Sequence, residues 1–320
     1  MPYVLGTDEA GYGPNLGPLT IAGTLWYLPD DVAVELLPER LSDVVRRDGR
    51  NLGDGQIAIA DSKLLYASGR GLQLLERAVW ATLGAVGRTA DSWRDIWQQL
   101  AQTSTWQIDD SPCYREYDER LPVDLVARSI ELATANFLRV LADRGIRILD
   151  AQVAAVFPSQ FNASVERWGN KSTLLSITTL ELIRNMLAST GDGSALVLCD
   201  KHGGRNNYVP LLHEVFEDGF VQVCEEGRAC SSYRLGPSNR RMEIRFQAKG
   251  ESHLPAALSS ILAKYLRELA MRAFNAFWRV HQPGLRPTAG YPVDAKRFFS
   301  ETAIARQKLG IADHTIWRCR

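Results

Sequence analysis

No apolar run in this sequence reaches the roughly 18 residues that a membrane-crossing helix requires. The opening MPYVLGTDEAG has no basic stretch followed by a long apolar one, and acids are present by Asp8. No secretory leader is therefore expected, and the expected compartment is the cytoplasm. Cysteine is scarce: Cys113, Cys199, Cys224, Cys230 and Cys319 are odd in number, scattered and without a C-x-x-C pair. That excludes a disulfide framework and a zinc knuckle as organising features. The five histidines have no metal-ligand spacing, and H-E-x-x-H, G-x-S-x-G and P-loop patterns are absent. Net charge is lacking too, with 37 basic against 37 acidic residues. A nucleic-acid binder usually carries a basic bias, so such a partner would need a local patch. The segment from Arg228 to Lys249 has five arginines and one lysine against Glu243 alone. It reads either as such a patch or as a solvated hairpin.

What remains is an ordinary globular chain of 320 residues, 45% apolar and 23% charged, without internal repeats. Tyr3 to Thr7 and Leu19 to Leu28 read as paired strands. Gly71 to Leu83, Asp124 to Asp143 and Lys171 to Ser189 have helical spacing, the second ended by Gly145. Ile146 to Phe157 reads as a strand stopped by Pro158, with further strands at Phe220 to Cys224 and Met242 to Phe246. The unalternating run Ala195 to Cys199 suits a central strand covered on both faces. Ser252 to Val280 predicts a long helix and Asp294 to Lys308 another. The alternation implies an α/β layered fold: a mixed central sheet flanked by helices, with a helical C-terminal appendage. The expected division is a core over 1–250, interrupted by insertions near 28–56 and 88–122, and a helical part over 251–320 packed on it.

Three carboxylates stand where strands end. Asp8 and Glu9 follow one apolar strand and Asp200 another. If those strands are neighbours, their ends lie about 5–10 Å apart at the sheet rim. Clustered carboxylates raise one another's proton affinity and call for a proton or a metal. Oxygen-only ligands suit Mg²⁺ or Mn²⁺. The competing reading is three solvated acids. The loop DEAGYGPNLGP adds Gly11, Gly13 and Gly17, which permit a tight turn and close approach of a ligand to the backbone. Its spacing is not the G-x-G-x-x-G of a dinucleotide site, and two acids stand where pyrophosphate would approach. After Asp200, the run Lys201-His202-Gly203-Gly204-Arg205-Asn206 offers Lys201, His202 and Arg205 as phosphate contacts or proton carriers.

These residues resemble the ribonuclease HII family, the type 2 ribonucleases H. Asp8-Glu9-Ala10-Gly11 followed by Gly13-Pro14 is similar to its opening signature, and Asp61-Ser62-Lys63-Leu64 to its second block. Val197 to Asp200 is similar to the strand of the third acid. Lys249-Gly250-Glu251, with Ser260 to Lys264 and Arg267, resembles the Lys-Gly-Asp block and the helix after it. Gly290-Tyr291-Pro292 resembles the late Gly-Tyr element. The five blocks keep the family's order across nearly the whole chain. The resemblance implies a ribonuclease H-like fold and a two-metal endonuclease that cuts on the 5′ side of a ribonucleotide. Its substrates would be RNA–DNA hybrids or ribonucleotide-containing duplex DNA, and the enzyme would be a monomer. It implies Asp8, Glu9, Asp200 and Glu251 as ligands, with Gly11, Tyr12, Gly13, Ser62, Lys63 and Tyr291 on the substrate. Two departures stand out: Glu251 replaces the family's aspartate, and Gly11-Tyr12-Gly13 replaces Gly-Arg-Gly. Tyrosine cannot make arginine's forked phosphate contact. A nuclease of the same fold with another nucleic-acid substrate, and a non-catalytic nucleic-acid-binding module, are the alternatives.

Overall fold

The computed structural model describes residues 1–66, 71–188, 190, 193–216, 220–237 and 240–319. Among the described residues nine strands are formed: β1 (Tyr3–Ala10), β2 (Leu19–Tyr27), β3 (Val45–Arg46), β4 (Ile57–Ala58), β5 (Arg147–Val156), β6 (Ala195–Asp200), β7 (Gln222–Glu226), β8 (Cys230–Leu235) and β9 (Met242–Gln247). Seven of them make one mixed sheet in the order β5-β2-β1-β6-β9-β8-β7, while β3 and β4 pair separately. At its centre β1, β6 and β9 run parallel. Antiparallel partners lie on both sides, β2 and β5 on one and β8 and β7 on the other. This is the expected α/β architecture, a mixed central sheet flanked by helices.

Alternation along the strands sends successive residues into two cores. Val4 joins a cluster with Leu258, Leu262 and Leu266 of the helix Leu254–His281. Leu5 and Val197 join another with Leu175, Ile183 and Met186 of the helix Lys171–Leu187. The first helix lies very close to the sheet because Gly6 has no side chain. A Cβ there would fall 2.2 Å from backbone atoms of Pro255 and Ala256. Buried hydroxyls complete the contact: Ser259 donates to the Gly6 carbonyl at 2.8 Å, and Thr20 to that of Ala263 at 2.9 Å. Burying a hydroxyl without such a partner costs about 1–3 kcal/mol.

The segment near 88–122 packs inward. Trp93 and Trp97 of the helix Trp93–Leu100 are fully buried, and Trp93 Nε1 donates to the Leu269 carbonyl at 3.1 Å. The same segment covers the outer edge of β5. Ser104 Oγ accepts from Ala155 N at 2.9 Å, Gln107 bridges the Ala155 carbonyl (2.9 Å) and Phe157 N (3.0 Å), and Arg88 donates to the Ala151 carbonyl at 2.7 Å. Side chains thus occupy backbone groups that an edge strand would otherwise offer to another chain.

Several expected boundaries shift. The helix expected from Asp124 begins at Ala127, and the strand expected from Phe220 runs over Gln222–Glu226. The single helix expected over Asp294 to Lys308 is two, Pro292–Glu301 and Ala303–Leu309. Thr302 separates them, and its hydroxyl bonds back to the Phe298 carbonyl at 2.8 Å, a competition with the helix ladder typical of threonine. Pro158 does more than stop a strand: it opens the helix Pro158–Trp168, where its missing N–H costs nothing. Ser189, at the end of the expected helix from Lys171, lies outside the described residues, as do positions 238 and 239 of the basic segment.

Candidate active site

Asp8 and Glu9 lie near the end of β1, and Asp200 is the last residue of β6. These strands are parallel neighbours with Thr7 opposite Cys199, so Asp8 falls level with Asp200. By alternation both turn to the face carrying the helix Leu254–His281, and Glu9 starts from the opposite face at the same rim. Glu251 sits in the short 3₁₀ turn Gly250–Ser252 that follows β9. Lys249, in the left-handed region at φ 65°, reverses the chain there. Gly250 N donates to Asp200 Oδ1 at 3.1 Å, tying this turn to the third acid.

The acids feel one another. Asp8 and Glu9 are partly open to solvent but closely surrounded by protein. Burial raises the pKa of Asp8 above the ordinary carboxylate range, and the charges of Asp200 and Glu251 raise it further. Hydrogen bonds from Ser260 and from Glu9 N (2.8 Å) oppose that shift. Burial likewise raises Glu9, reinforced by Asp8 and Asp200 and opposed by Lys63. Lys63 stands on the short helix Ser62–Leu65, which Asp61 caps by accepting from Lys63 N at 3.0 Å. Burial lowers the Lys63 pKa, but Asp61, Asp8, Glu251 and Glu9 outweigh it and hold the ammonium charged. Ser62 is buried, and its hydroxyl accepts from Ser260 Oγ at 2.9 Å. Ser260 thus stands between Ser62 and Asp8, with one hydroxyl proton that can serve only one of them at a time.

Among the described residues, no three His, Cys, Asp or Glu side chains are gathered into a metal-binding group. The donor chemistry nevertheless fits a hard divalent cation: four electrostatically coupled carboxylates, two of them with raised proton affinity, and no sulfur or imidazole among them.

The residues expected to face a substrate divide. Gly11 has φ +88° and no room for a side chain, since a Cβ would lie 2.6 Å from the Pro18 carbonyl. Gly13 is exposed, with open space around it. Tyr12 is half-buried; Lys171 Nζ lies 4.6 Å over its ring, and Ser172 hydrogen-bonds its phenol. Arg205 Nη2 donates to Thr173 Oγ1 at 3.0 Å, close enough to Tyr12 to stabilise its phenolate. Tyr291 is 55% exposed at the start of the helix Pro292–Glu301.

Two candidates are corrected. His202 is 2% exposed, its Nδ1 lies 2.9 Å from Ser176 Oγ, and Tyr208 and Phe246 meet its ring edge-on. Burial lowers its pKa to about 3, so it is a neutral core residue instead of a phosphate ligand or proton carrier. Lys201 Nζ donates to the carbonyls of Arg205 (3.2 Å) and Gly227 (2.5 Å), to Asn206 Oδ1 (2.9 Å) and to Ser231 Oγ (3.1 Å). It pins the loop after Asp200 to the β7–β8 hairpin and has no donor to spare for phosphate. Two contributors carried no assigned role in the sequence. Ser260 lies inside a recognised block. Arg47 lies in the 28–56 segment and donates to the carbonyls of Glu251 and Ser252 at 3.0 and 3.1 Å.

No protein-family profile and no curated protein matches the chain. It aligns with solved type 2 ribonucleases H, the class its motifs resemble. Over 99% of its length it is 15% identical to a chain of the PCNA:RNase HII complex from Archaeoglobus fulgidus, covering 94% of that chain (TM-score 0.39). Over 98% it is 15% identical to ribonuclease H2 from Pyrococcus horikoshii OT3, covering 92% of it (TM-score 0.44). Over 99% it is 14% identical to Bst-RNase HIII in complex with Mn²⁺, covering 66% of it (TM-score 0.42).

Proposed function

We propose that the chain is a divalent-metal-dependent endonuclease of the ribonuclease HII type, cutting RNA–DNA hybrids or duplex DNA at ribonucleotides. The observation that carries this reading is that Asp8 and Asp200 lie level, one residue beyond the paired Thr7 and Cys199 of parallel central strands, with Glu9 and Glu251 acting electrostatically on the same cluster. Asp8, Glu9, Asp200 and Glu251 would hold Mg²⁺ or Mn²⁺; two such ions, when bound, supply activation of water and neutralisation of charge at the phosphodiester. Ser260, beside Asp8 and 2.9 Å from the Ser62 hydroxyl, would help to orient the first acid. Lys63, kept charged by the surrounding acids, meets a non-bridging phosphate oxygen. Gly11, Tyr12 and Gly13 lie against the ribose, where the 2′-hydroxyl separates RNA from DNA. Arg205 would meet a neighbouring phosphate, and the exposed Tyr291 ring would stack on a sugar or base. Among the described residues no helix is long and apolar enough to cross a membrane. The enzyme would act in the cytoplasm, as a monomer.

A second reading keeps the fold and the chemistry but changes the substrate. It is favoured by Tyr12, whose ring is engaged by Lys171 where the family places an arginine. The test is cleavage of four labelled duplexes (hybrid, DNA with one ribonucleotide, all-DNA, all-RNA) with Mg²⁺ or Mn²⁺, using wild type and Asp200→Asn. Ribonucleotide-dependent cutting lost in the variant is the expected outcome. Cutting of another duplex would select the second reading, and no metal-dependent cutting would sink both.

A further inference from the structure

We propose that Arg318 is a positioning residue for the loop 11–17, holding the Tyr12–Gly13 peptide so that the Gly13 N–H is presented to the substrate; this rests on the ribonuclease reading above. Arg318 is 1% exposed, and its guanidinium lies 4.3 Å over the Phe161 ring. Its Nη2 donates to the Tyr12 carbonyl at 3.3 Å and its Nη1 to that of Gly17 at 3.4 Å. Backbone contacts join the same two stretches. Arg318 N donates to the Asn15 carbonyl at 2.8 Å, Asn15 Nδ2 returns to the Arg318 carbonyl at 3.2 Å, and Leu16 pairs antiparallel with Trp317.

The stretch that grips the loop is itself fixed. Asn162, on the helix Pro158–Trp168, donates to the carbonyls of His314 (3.1 Å) and Trp317 (2.8 Å) and accepts from Cys319 N at 2.7 Å. On the loop's other flank the buried Arg267 donates to the Pro18 carbonyl at 3.4 Å and to that of Ala289 at 3.0 Å. Two buried guanidinium groups therefore hold a glycine-rich loop that would otherwise sample many conformations.

The consequence is a matter of peptide geometry. In a planar trans peptide the C=O and the following N–H point in opposite directions. Drawing the Tyr12 carbonyl inward to Arg318 turns the Gly13 N–H outward, and Gly13 is exposed with open space beside it. An outward N–H next to Tyr12, whose phenol feels the charge of Glu9, is a donor suited to a sugar hydroxyl. Arg318 touches neither substrate nor metal in this scheme and acts through the peptide it orients.

The test uses the full chain with Arg318→Met, which keeps the apolar bulk against Phe161 and removes the donors. Asn162→Ala is the milder companion should Arg318→Met fail to fold. Amide hydrogen exchange at residues 12–17, without substrate, should rise roughly tenfold or more while exchange in β1 and β6 stays unchanged. Unchanged exchange at 12–17 overturns the proposal whatever the enzyme cleaves. In turnover of DNA containing one ribonucleotide, KM should rise roughly tenfold with a smaller change in kcat and unchanged Mn²⁺ affinity. A loss of kcat with KM intact, or of Mn²⁺ binding, would also overturn it. Raised exchange together with a wild type that cuts no duplex would support the loop-holding role and refute the ribonuclease reading on its own.

Discussion

The backbone N–H of Gly250 donates to Asp200 Oδ1 at 3.1 Å, and the approach is possible because residue 250 has no side chain. A Cβ there would lie 2.9 Å from Asp200 N and 3.0 Å from Asp200 Cα, both backbone atoms that cannot swing aside. Gly250→Ala should displace the turn that carries Glu251. We expect a stability loss of about 1–3 kcal/mol from overpacking, with cleavage falling at least tenfold. Urea unfolding and single-turnover cleavage check the two halves of this prediction, and an alanine variant with wild-type stability would refute it.

The crowded acids imply a trade between stability and activity. Burial and like charges raise Asp8 above its ordinary value, so the ionised side chain works against folding in the absence of a cation. Asp8→Asn keeps the shape and removes the charge. Without divalent ions its melting temperature should equal or exceed that of the wild type, while turnover drops by roughly 10³-fold or more. A variant clearly less stable than wild type under those conditions would show that the carboxylate is stabilising.

The edge of β5 gives a prediction independent of chemistry. Gln107 uses both ends of its amide on the backbone, at the Ala155 carbonyl and Phe157 N, and is itself buried. Gln107→Ala leaves both groups without partners, at about 1–3 kcal/mol. It also uncovers a strand edge, so concentration-dependent association should follow. Light scattering and denaturant unfolding measure these, and an equally stable, monodisperse variant would mean that the cover is dispensable.

Much of this arrangement was legible in the sequence for a simple reason. Asp8 and Asp200 end apolar runs, and a central parallel pair with both faces covered leaves little else such a run can be. The helix over 254–281 was equally plain from its length and periodicity. Contacts between distant residues were not legible, because one partner carries no mark of the other: Trp93 on Leu269, Gln107 on β5, Arg318 on Asn15. His202 misled for a related reason. Its neighbours in sequence are glycines and cations, but its neighbours in space are Tyr208, Phe246 and Ser176. The division of the C-terminal helix at Thr302 turns on one side-chain bond that periodicity does not register.

Glu76 supplies a pH signature away from the candidate site. It is fully buried in the helix Gln73–Ala85 and accepts from the backbone N–H groups of Asp124 and Leu125 at 3.0 Å and from Tyr265 OH at 3.1 Å. Burial raises its pKa, outweighing the bonds from Val123, Asp124 and Tyr265 that lower it. A carboxyl whose folded pKa lies above its unfolded one binds protons more tightly in the native state. Its favourable contribution is complete below the unfolded value near 4.5 and is lost as pH rises through the folded one. Glu76→Gln cannot titrate. It also turns an amide N–H₂ toward backbone donors, so it should be less stable than wild type throughout. The difference in melting temperature between wild type and variant should therefore be largest in acid and shrink as pH rises above about 4.5. A difference that widens with pH would mean that the three backbone amides outweigh burial and that Glu76 is held as a carboxylate.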